Sequence, residues 1–501
     1  MADRVKPYLF LALLGLLFFG DLVLHPTQVL YSDHSDLLAM HLPMKRFLVR
    51  SWQETGEIPL WNPYSFGGMP FVHDVQVAAF YPLHSPLYLL PEKYVGAGMS
   101  WLVVLHVVLA GWLMFAYARY RGLGEAGAFV AALGYMFAGK WLLHILAGGH
   151  YIMTPLAWLP LVLLLLEQAI ETRSLLKASW AGAIYALIVL GAHPQMTLYA
   201  GLFVAIWTLG CVVGGPQAES TIMGARRRDM LCWLGLGICT VIVATALSAV
   251  QLLPALEASG EATRAGGVSL GDTLAVCVPS VLGFIGPGWA GTWEDRSGLG
   301  VLWISAGLTI VLLNRGRVRF EGLICLGLIF FGMGGAALVQ WLPGFRLFQI
   351  PVRMLMLLAL PVAMFCARSV EAMFGEGKSA DQARQQCRQI LLRVFCVGLV
   401  LILASGATHF VRGASAVQTD NGPNDAVAPD EMHSILLEWL QKPTSGSIFC
   451  AVTALAGIGG LWLLGARCHL PLQTRRWVWT LLLLAELWAM GWPRVAAPLE
   501  N

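Results

Sequence analysis

The chain has 501 residues, 57% of them hydrophobic and only 12% charged, with a mean hydropathy of +0.68. That balance excludes an ordinary soluble enzyme, and a net charge of +3 over this length provides no basic surface for nucleic acid. Apolar runs near 20 residues, each long enough to cross about 30 Å of hydrocarbon, recur from one end to the other. The expected fold is therefore all-α, a polytopic transmembrane helical bundle forming a single integral membrane domain over 1–501.

The first apolar run, Tyr8 to about Leu24, is long and lacks a small-residue cleavage site behind it, so it reads as a retained helix over 8–25 rather than a leader. A long first loop, 26–97, follows. Helices are predicted over 98–118, 125–145, 151–168, 178–193, 197–214 and 231–253, with breaks at Gly148–His150 and His193–Gln195. After a second long loop, 254–297, they resume over 298–314, 320–340, 354–372 and 390–407. A polar loop, 408–445, precedes the last two, 446–466 and 476–493. The total is about thirteen spans. The ten cysteines are scattered, mostly inside apolar runs and without a CxxC pair, so neither a disulfide framework nor a zinc site is expected.

Basic residues set the orientation. If the N-terminus is cytoplasmic, every inside segment is basic: Arg4 and Lys6, Arg119 and Arg121, Arg173 and Lys177, Arg226–Arg228, Arg315–Arg319, Lys378–Arg393, then Arg467–Arg476. The three long loops then lie outside, as does the C-terminus. Within the first of them, Leu37, Leu38, His41, Leu42, Met44, Phe47, Leu48 and Trp52 fall at helical spacing, followed by aromatic and proline clusters at 61–64 and 80–91. These predict amphipathic helices lying at the membrane interface. A loop of this length with its own pattern points to function.

Ionisable groups near hydrocarbon are costly, so their placement is informative. They gather on the outer side: Asp33, Asp36 and Asp74 in the first loop, Lys140, His150 and His193 at helix ends, Glu257 in the second loop, and Arg353 at the mouth of a late helix; the neutral polar Gln251 lies at the end of helix 231–253 beside them. Each has a plainer reading. Ser32-Asp33 and Ser35-Asp36 look like N-cap sequences; His150 and His193 sit at helix breaks, where histidines satisfy freed backbone groups; Lys140 reaches headgroups by snorkelling. Arg353, after Pro351, suits a phosphate at headgroup depth because guanidinium binds phosphate oxygens in bidentate fashion, and ordinary lipid would satisfy it as well.

The ordered motifs Asp36-Leu-Leu-Ala-Met-His-Leu-Pro43, Gly56-Glu-Ile-Pro-Leu-Trp-Asn-Pro63, Gly67-Gly-Met-Pro70, Phe80-Tyr-Pro82, Ala157-Trp-Leu-Pro160, Gly191-Ala-His-Pro-Gln195, Gln251-Leu-Leu-Pro254 and Pro351-Val-Arg353 resemble the bacterial YfhO-type membrane protein family, over roughly residues 8 to 370. That family belongs to the GT-C superfamily of polyprenyl-phosphate-dependent glycosyltransferases. The resemblance implies a GT-C-like bundle in the prokaryotic cytoplasmic (inner) membrane that passes a sugar from a polyprenyl-phosphate donor to an extracytoplasmic acceptor: an envelope polymer, a glycolipid or a protein. It also implies an aspartate at the end of the first helix as catalytic base, matched here by Asp36 with Asp33 in reserve. Gln349 departs from the pattern, standing where a second basic residue is expected before the Pro-x-Arg.

A carboxylate near the acceptor hydroxyl would take its proton during an inverting attack on the anomeric carbon. Arg353, assisted by Lys140, would stabilise the leaving phosphate, and Asp74 and His150 would orient hydroxyls. No cofactor is required by these residues, and no ligand spacing compels a metal; a divalent cation held by Asp36 and Asp74 is left open, as the superfamily works with and without one. Two other classes fit the same outer polar surface: a flippase for a lipid-linked sugar, and a non-enzymatic scaffold for envelope assembly.

Overall fold

Helices carry nearly all the secondary structure of the computed structural model, which describes residues 2–32, 35–65, 67–146, 148–213, 223–260, 301–314, 317–332, 335, 350–394, 396, 445–465, 468–491 and 495–497. Among these residues six helical stretches are long and apolar enough to cross a membrane: Glu92–Tyr120, Glu125–Leu146, Tyr151–Thr172, Pro194–Val212, Arg228–Ser259 and Pro351–Met373. Shorter apolar helices, among them Leu175–Gly191 and Leu302–Leu313, accompany them. The only strands described are short antiparallel pairs, Val29–Tyr31 with Val495–Ala497 and Trp61–Asn62 with Met69–Pro70. The first pair brings a segment near the C-terminus back to the start of the first loop. The chain is thus an all-α, multi-span membrane protein.

Several boundaries differ from those expected, each for a local reason. The run 8–25 is two helices, Ala2–Phe18 and Gly20–Leu24. The stretch 231–253 is one helix of 37 residues, Met223–Ser259, which runs through Arg226–Arg228 and over Pro254. Leu231, Ile238, Val241, Ile242, Leu253 and Leu256 stand exposed on it, an outward apolar face suited to lipid rather than water. The basic run Lys378–Arg393, expected as a loop, is helical over 378–394. It buries Ala380, Ala383, Cys387, Ile390 and Leu391 at helical spacing, and its Ala, Gln, Lys and Arg content favours helix. Of the expected helix 390–407, nearly all beyond this lies outside the described residues, as do nearly all of the loops 408–445 and 254–297.

At the end of helix Val95–Tyr120 remote from the first loop, charged side chains clamp the bundle. Arg121 binds Glu167 (3.2 Å) and Glu321 (2.6 Å), Arg317 binds Glu167 (2.7 Å) and Glu321 (3.1 Å), and Arg368 binds Glu321 (2.8 Å). Tyr117 donates to Glu167 and accepts from the Trp207 indole. Both carboxylates are buried. Such groups persist away from water only when paired and hydrogen-bonded.

The first loop is packed rather than trailing. Its amphipathic helix Leu42–Thr55 buries Leu48 against Phe71, Val77 and Ala79. Lys45, on a neighbouring turn of the same face, donates to the carbonyls of Val77 and Ala78 and to His84 Nδ1 (3.0 Å). Tyr81 joins the loop to the bundle, its hydroxyl 2.6 Å from His106 and accepting from the Trp158 indole. Gln251 adds a further tie by donating to the Val72 carbonyl (2.7 Å). Fixed in this way, the loop holds its first turn against the mouth of the bundle.

Candidate active site

Asp36 stands at the entrance to a π-helical turn, Leu37–His41, that runs directly into helix Leu42–Thr55. Its side chain makes no capping hydrogen bond. The carboxylate instead meets His150, with Oδ2 2.7 Å from Nε2, and its side chain is 48% exposed while that of His150 is 8% exposed. The backbone makes the pairing possible: Asp36 N–H donates to the Gly148 carbonyl (3.0 Å), and His150 N–H to the His144 carbonyl (2.9 Å). Between them Gly149 has φ +63°, and a Cβ there would lie 2.6 Å from Leu37 N and 2.9 Å from Asp36 N. Only glycine allows this approach.

Arg353 acts on the same carboxylate through its charge. It lies in the 3-10 turn Pro351–Leu358, 9% exposed, with Nη1 3.3 Å from His193 Nε2. His193 Nδ1 accepts from Gln195 N–H, while the Gln195 amide donates to the Ile350 carbonyl (2.8 Å). The Gly191-Ala-His-Pro-Gln195 motif thus positions the segment that carries Arg353. Both halves of the site are followed by unusually long 3-10 segments, Tyr151–Trp158 after His150 and Pro351–Leu358 around Arg353. Runs beyond three or four residues are uncommon and often mark functional positions.

The two halves share one field. The hydrogen bond from His150 does most to hold the Asp36 carboxyl below its usual range; partial burial opposes this, and the charges of His150 and Arg353 add to the lowering. His41, five residues after Asp36, is brought beside it by the wide π turn. Burial pushes its imidazole down to about 4, helped by the charge on His150, so it faces the site as a neutral group. The arrangement is a half-open, ionised carboxylate ringed by basic side chains, suited to accepting a proton next to a bound anion.

The remaining expected residues divide between this centre and its supports. Lys140, on helix Gly139–Leu146, is 5% exposed and sits inside the bundle rather than reaching outward; with Arg353 and His150 its charge acts on His144. Asp74 caps the turn Val75–Val77 by accepting from Gln76 N–H (2.9 Å), and burial raises its carboxyl. Gln251 is a buried tie to the first loop, and Glu257 is exposed near the end of its helix. Asp33 and Gln349 lie outside the described residues. Among the described residues no group of three or more His, Cys, Asp and Glu is placed to hold a metal ion.

Sequence reasoning did not single out His41, His144 or Gly149. An α-helical reading puts Asp36 and His41 on different faces, whereas five-residue spacing is one π turn. Gly149 carried a signal in Gly148-Gly149-His150, since paired glycines before a polar residue mark close backbone approach.

No family model matches the sequence, and no curated protein does. Among solved structures the fold is similar to arabinofuranosyltransferase AftD from Mycobacteria, with 16% identity and a TM-score of 0.43 over 80% of this chain and 27% of that one. It is also similar to ArnT from Cupriavidus metallidurans bound to undecaprenyl phosphate, with 12% identity and a TM-score of 0.46 over 98% and 77% of the two chains. A third is the archaeal oligosaccharyltransferase AglB from Archaeoglobus fulgidus in complex with an inhibitory peptide and a dolichol-phosphate, at 12%, 0.40, 90% and 59%. The chain spans about a quarter of the length of AftD. These likenesses concern the fold alone and do not carry the expected YfhO-type membership, so the chemistry rests on the residues described above.

Proposed function

We propose that the chain is a membrane glycosyltransferase that moves a sugar from a polyprenyl-phosphate donor to an extracytoplasmic acceptor with inversion at the anomeric carbon. The observation that carries this reading is the Asp36 carboxylate, half exposed, 2.7 Å from His150 and within the field of Arg353. The ordered motifs of the first loop and helix mouths support it independently. The first loop, and with it the site, would face the extracytoplasmic side, as the distribution of basic residues favours.

In the reaction the acceptor hydroxyl attacks the anomeric carbon as its proton passes to Asp36. The bond between that carbon and the phosphate oxygen breaks, and the oxygen leaves with the electron pair as polyprenyl phosphate. Arg353, held by its 3-10 turn and the His193–Gln195 segment, faces the growing charge with preorganised N–H donors. Lys140 adds positive charge from behind. A depressed carboxylate is a weak base, but it stays ionised to lower pH than a solvated aspartate and needs to accept the proton only as the hydroxyl oxygen acquires positive character. His150 fixes its direction.

The test is Asp36→Asn, which keeps the side-chain shape and a hydrogen-bonding oxygen for His150. The variant should fold, insert and bind donor yet lose sugar transfer by at least a thousandfold, measured with a labelled lipid-linked sugar and an envelope extract as acceptor source. Transfer at the normal rate would remove Asp36 as base. Movement of labelled carrier across liposomes without acceptor would instead favour a flippase.

A further inference from the structure

A stripe of the first-loop helix borders a cavity of about 490 Å³. Leu38, Leu42, Arg46 and Arg50 line it at four-residue steps, so one stripe of the continuous helix is apolar near Asp36 and cationic farther along. Phe47 and Tyr64 close it from the side, edge to face at 5.8 Å. The opposite wall is a turn built by Asn62, which accepts from Tyr64 N–H and donates to Ser65 Oγ. Arg50 is held at the rim by Glu92 (2.6 Å). Arg46 differs: its Nε is buried and has no hydrogen-bond partner among the described residues. A buried guanidinium N–H left unmatched is costly, and an anion accepting from it would remove that cost.

We propose that this cavity is a second anion site, distinct from Arg353, that takes the phosphate group of an amphiphile: the anionic group against Arg46 and Arg50, the apolar part along Leu42 and Leu38 toward Asp36. Three observations converge on that chemistry. The cavity carries two guanidiniums against one carboxylate, so it keeps a net positive charge with an occupant's anion unmatched. Its other end is apolar, which a free inorganic ion would not use. Its helix lies among exposed Trp52, Leu60, Trp61, Tyr64 and Leu89, a surface suited to headgroup depth, where phosphate amphiphiles are found. Ten residues of helix, five of them in the π turn with its smaller rise, separate Asp36 from Arg46 by about 15 Å at most. Resting on the transferase reading, this makes the cavity an acceptor subsite, one that selects an acceptor whose phosphate lies about that far from the hydroxyl being glycosylated.

Binding separates the cavity from the transfer reaction. The full-length protein in neutral detergent is titrated calorimetrically with dihexanoyl phosphatidic acid and, separately, with inorganic phosphate, in an Arg353→Ala background that disables the donor-phosphate position. One amphiphile site should remain, and adding Arg46→Gln should weaken it at least tenfold at an unchanged melting temperature. Leu38→Asn, which leaves both arginines, should weaken the amphiphile severalfold and leave phosphate unchanged. Loss of all binding in Arg353→Ala alone, or equal affinity with and without Arg46→Gln, overturns the proposal. Equal affinity for phosphate and amphiphile overturns the apolar half of it. To separate an acceptor from a bulk lipid headgroup, transfer is assayed with phosphorylated and dephosphorylated acceptor fractions: selective loss of the phosphorylated preference in Arg46→Gln supports the acceptor subsite, and no change overturns it. Should the parent protein transfer no sugar from the lipid-linked donor, the transferase reading fails while the binding result stands.

Discussion

His150 Nε2 and Asp36 Oδ2 stand 2.7 Å apart although they come from different segments, the histidine from a helix break and the aspartate from the loop after the first helix. The contact sets the protonation state of the carboxylate. Because His150 is the largest cause of the lowered Asp36 value, the ionised form survives to a lower pH than in a solvated aspartate. Replacing His150 with Phe removes both the hydrogen bond and the charge, so the Asp36 value must rise. A base has to be ionised to act, and the acidic limb of the rate profile should therefore move to higher pH in His150→Phe. Activity at neutral pH should fall by about tenfold from lost orientation. An acidic limb that stays in place would show that His150 does not govern the carboxylate.

Gly149 makes that contact possible, and its replacement is a separate test. An alanine would be strained at φ +63° and would press on the amides of Leu37 and Asp36. Either effect costs about 1 kcal/mol or more. Gly149→Ala should leave most of the bundle intact, because the break is local, but should pull Asp36 away from His150. The expected result is a loss of transfer of at least tenfold with a melting temperature only a few degrees lower. Gly148→Ala, at a position where the carbonyl is the group in use, should be milder. Equal effects of the two would locate the constraint elsewhere.

Much of this was legible in the sequence, and for physical reasons. Hydrophobic length alone forces spanning helices, because backbone polar groups cannot stay unpaired in hydrocarbon. The costly placement of Asp36, His150, His193, Lys140 and Arg353 singled them out; the structure pairs Asp36 with His150 and Arg353 with His193, while Lys140 lies buried near His144. Asp74 and Gln251 looked equivalent in sequence but serve as a cap and a tie, since a side chain's partner depends on which backbone groups the fold leaves unsatisfied nearby. The role of His41 was hidden because a π turn changes which residues share a face. The clamp of Arg121, Glu167, Arg317, Glu321 and Arg368 was hidden as well: Arg121 and Arg317 read as loop charges setting orientation, and only packing reveals their buried partners.

Lys45 predicts a pH dependence of stability. Burial among the Val77 and Ala78 carbonyls and His84 pushes its ammonium down to about 7, against an ordinary lysine near 10.4. Between those values the unfolded loop binds a proton that the folded loop does not. Its packed form should therefore gain stability as pH rises from about 7 toward 10 and lose that gain on the way down. Thermal melts of the protein in detergent should show this slope, and Lys45→Met should flatten it. A slope unchanged in that variant would mean that other groups set it.

The charged clamp makes a prediction that depends on its charge count. Three guanidiniums share two buried carboxylates, and Glu321 serves all three, at 2.6 Å, 3.1 Å and 2.8 Å from Arg121, Arg317 and Arg368. Glu321→Gln leaves three cations with one carboxylate in a poorly solvated place, and breaking buried pairs in this way costs about 3–5 kcal/mol. Arg368→Met removes a cation instead: Glu321 keeps Arg121 and Arg317, the charges balance, and the methionine fills part of the arginine stem's volume. The first variant should melt well below the parent and the second within a few degrees of it, with transfer per folded molecule preserved in both, since the clamp lies at the opposite end of the bundle from Asp36. The reverse order of melting temperatures would show that Arg368, rather than the shared Glu321, is the group on which the clamp depends.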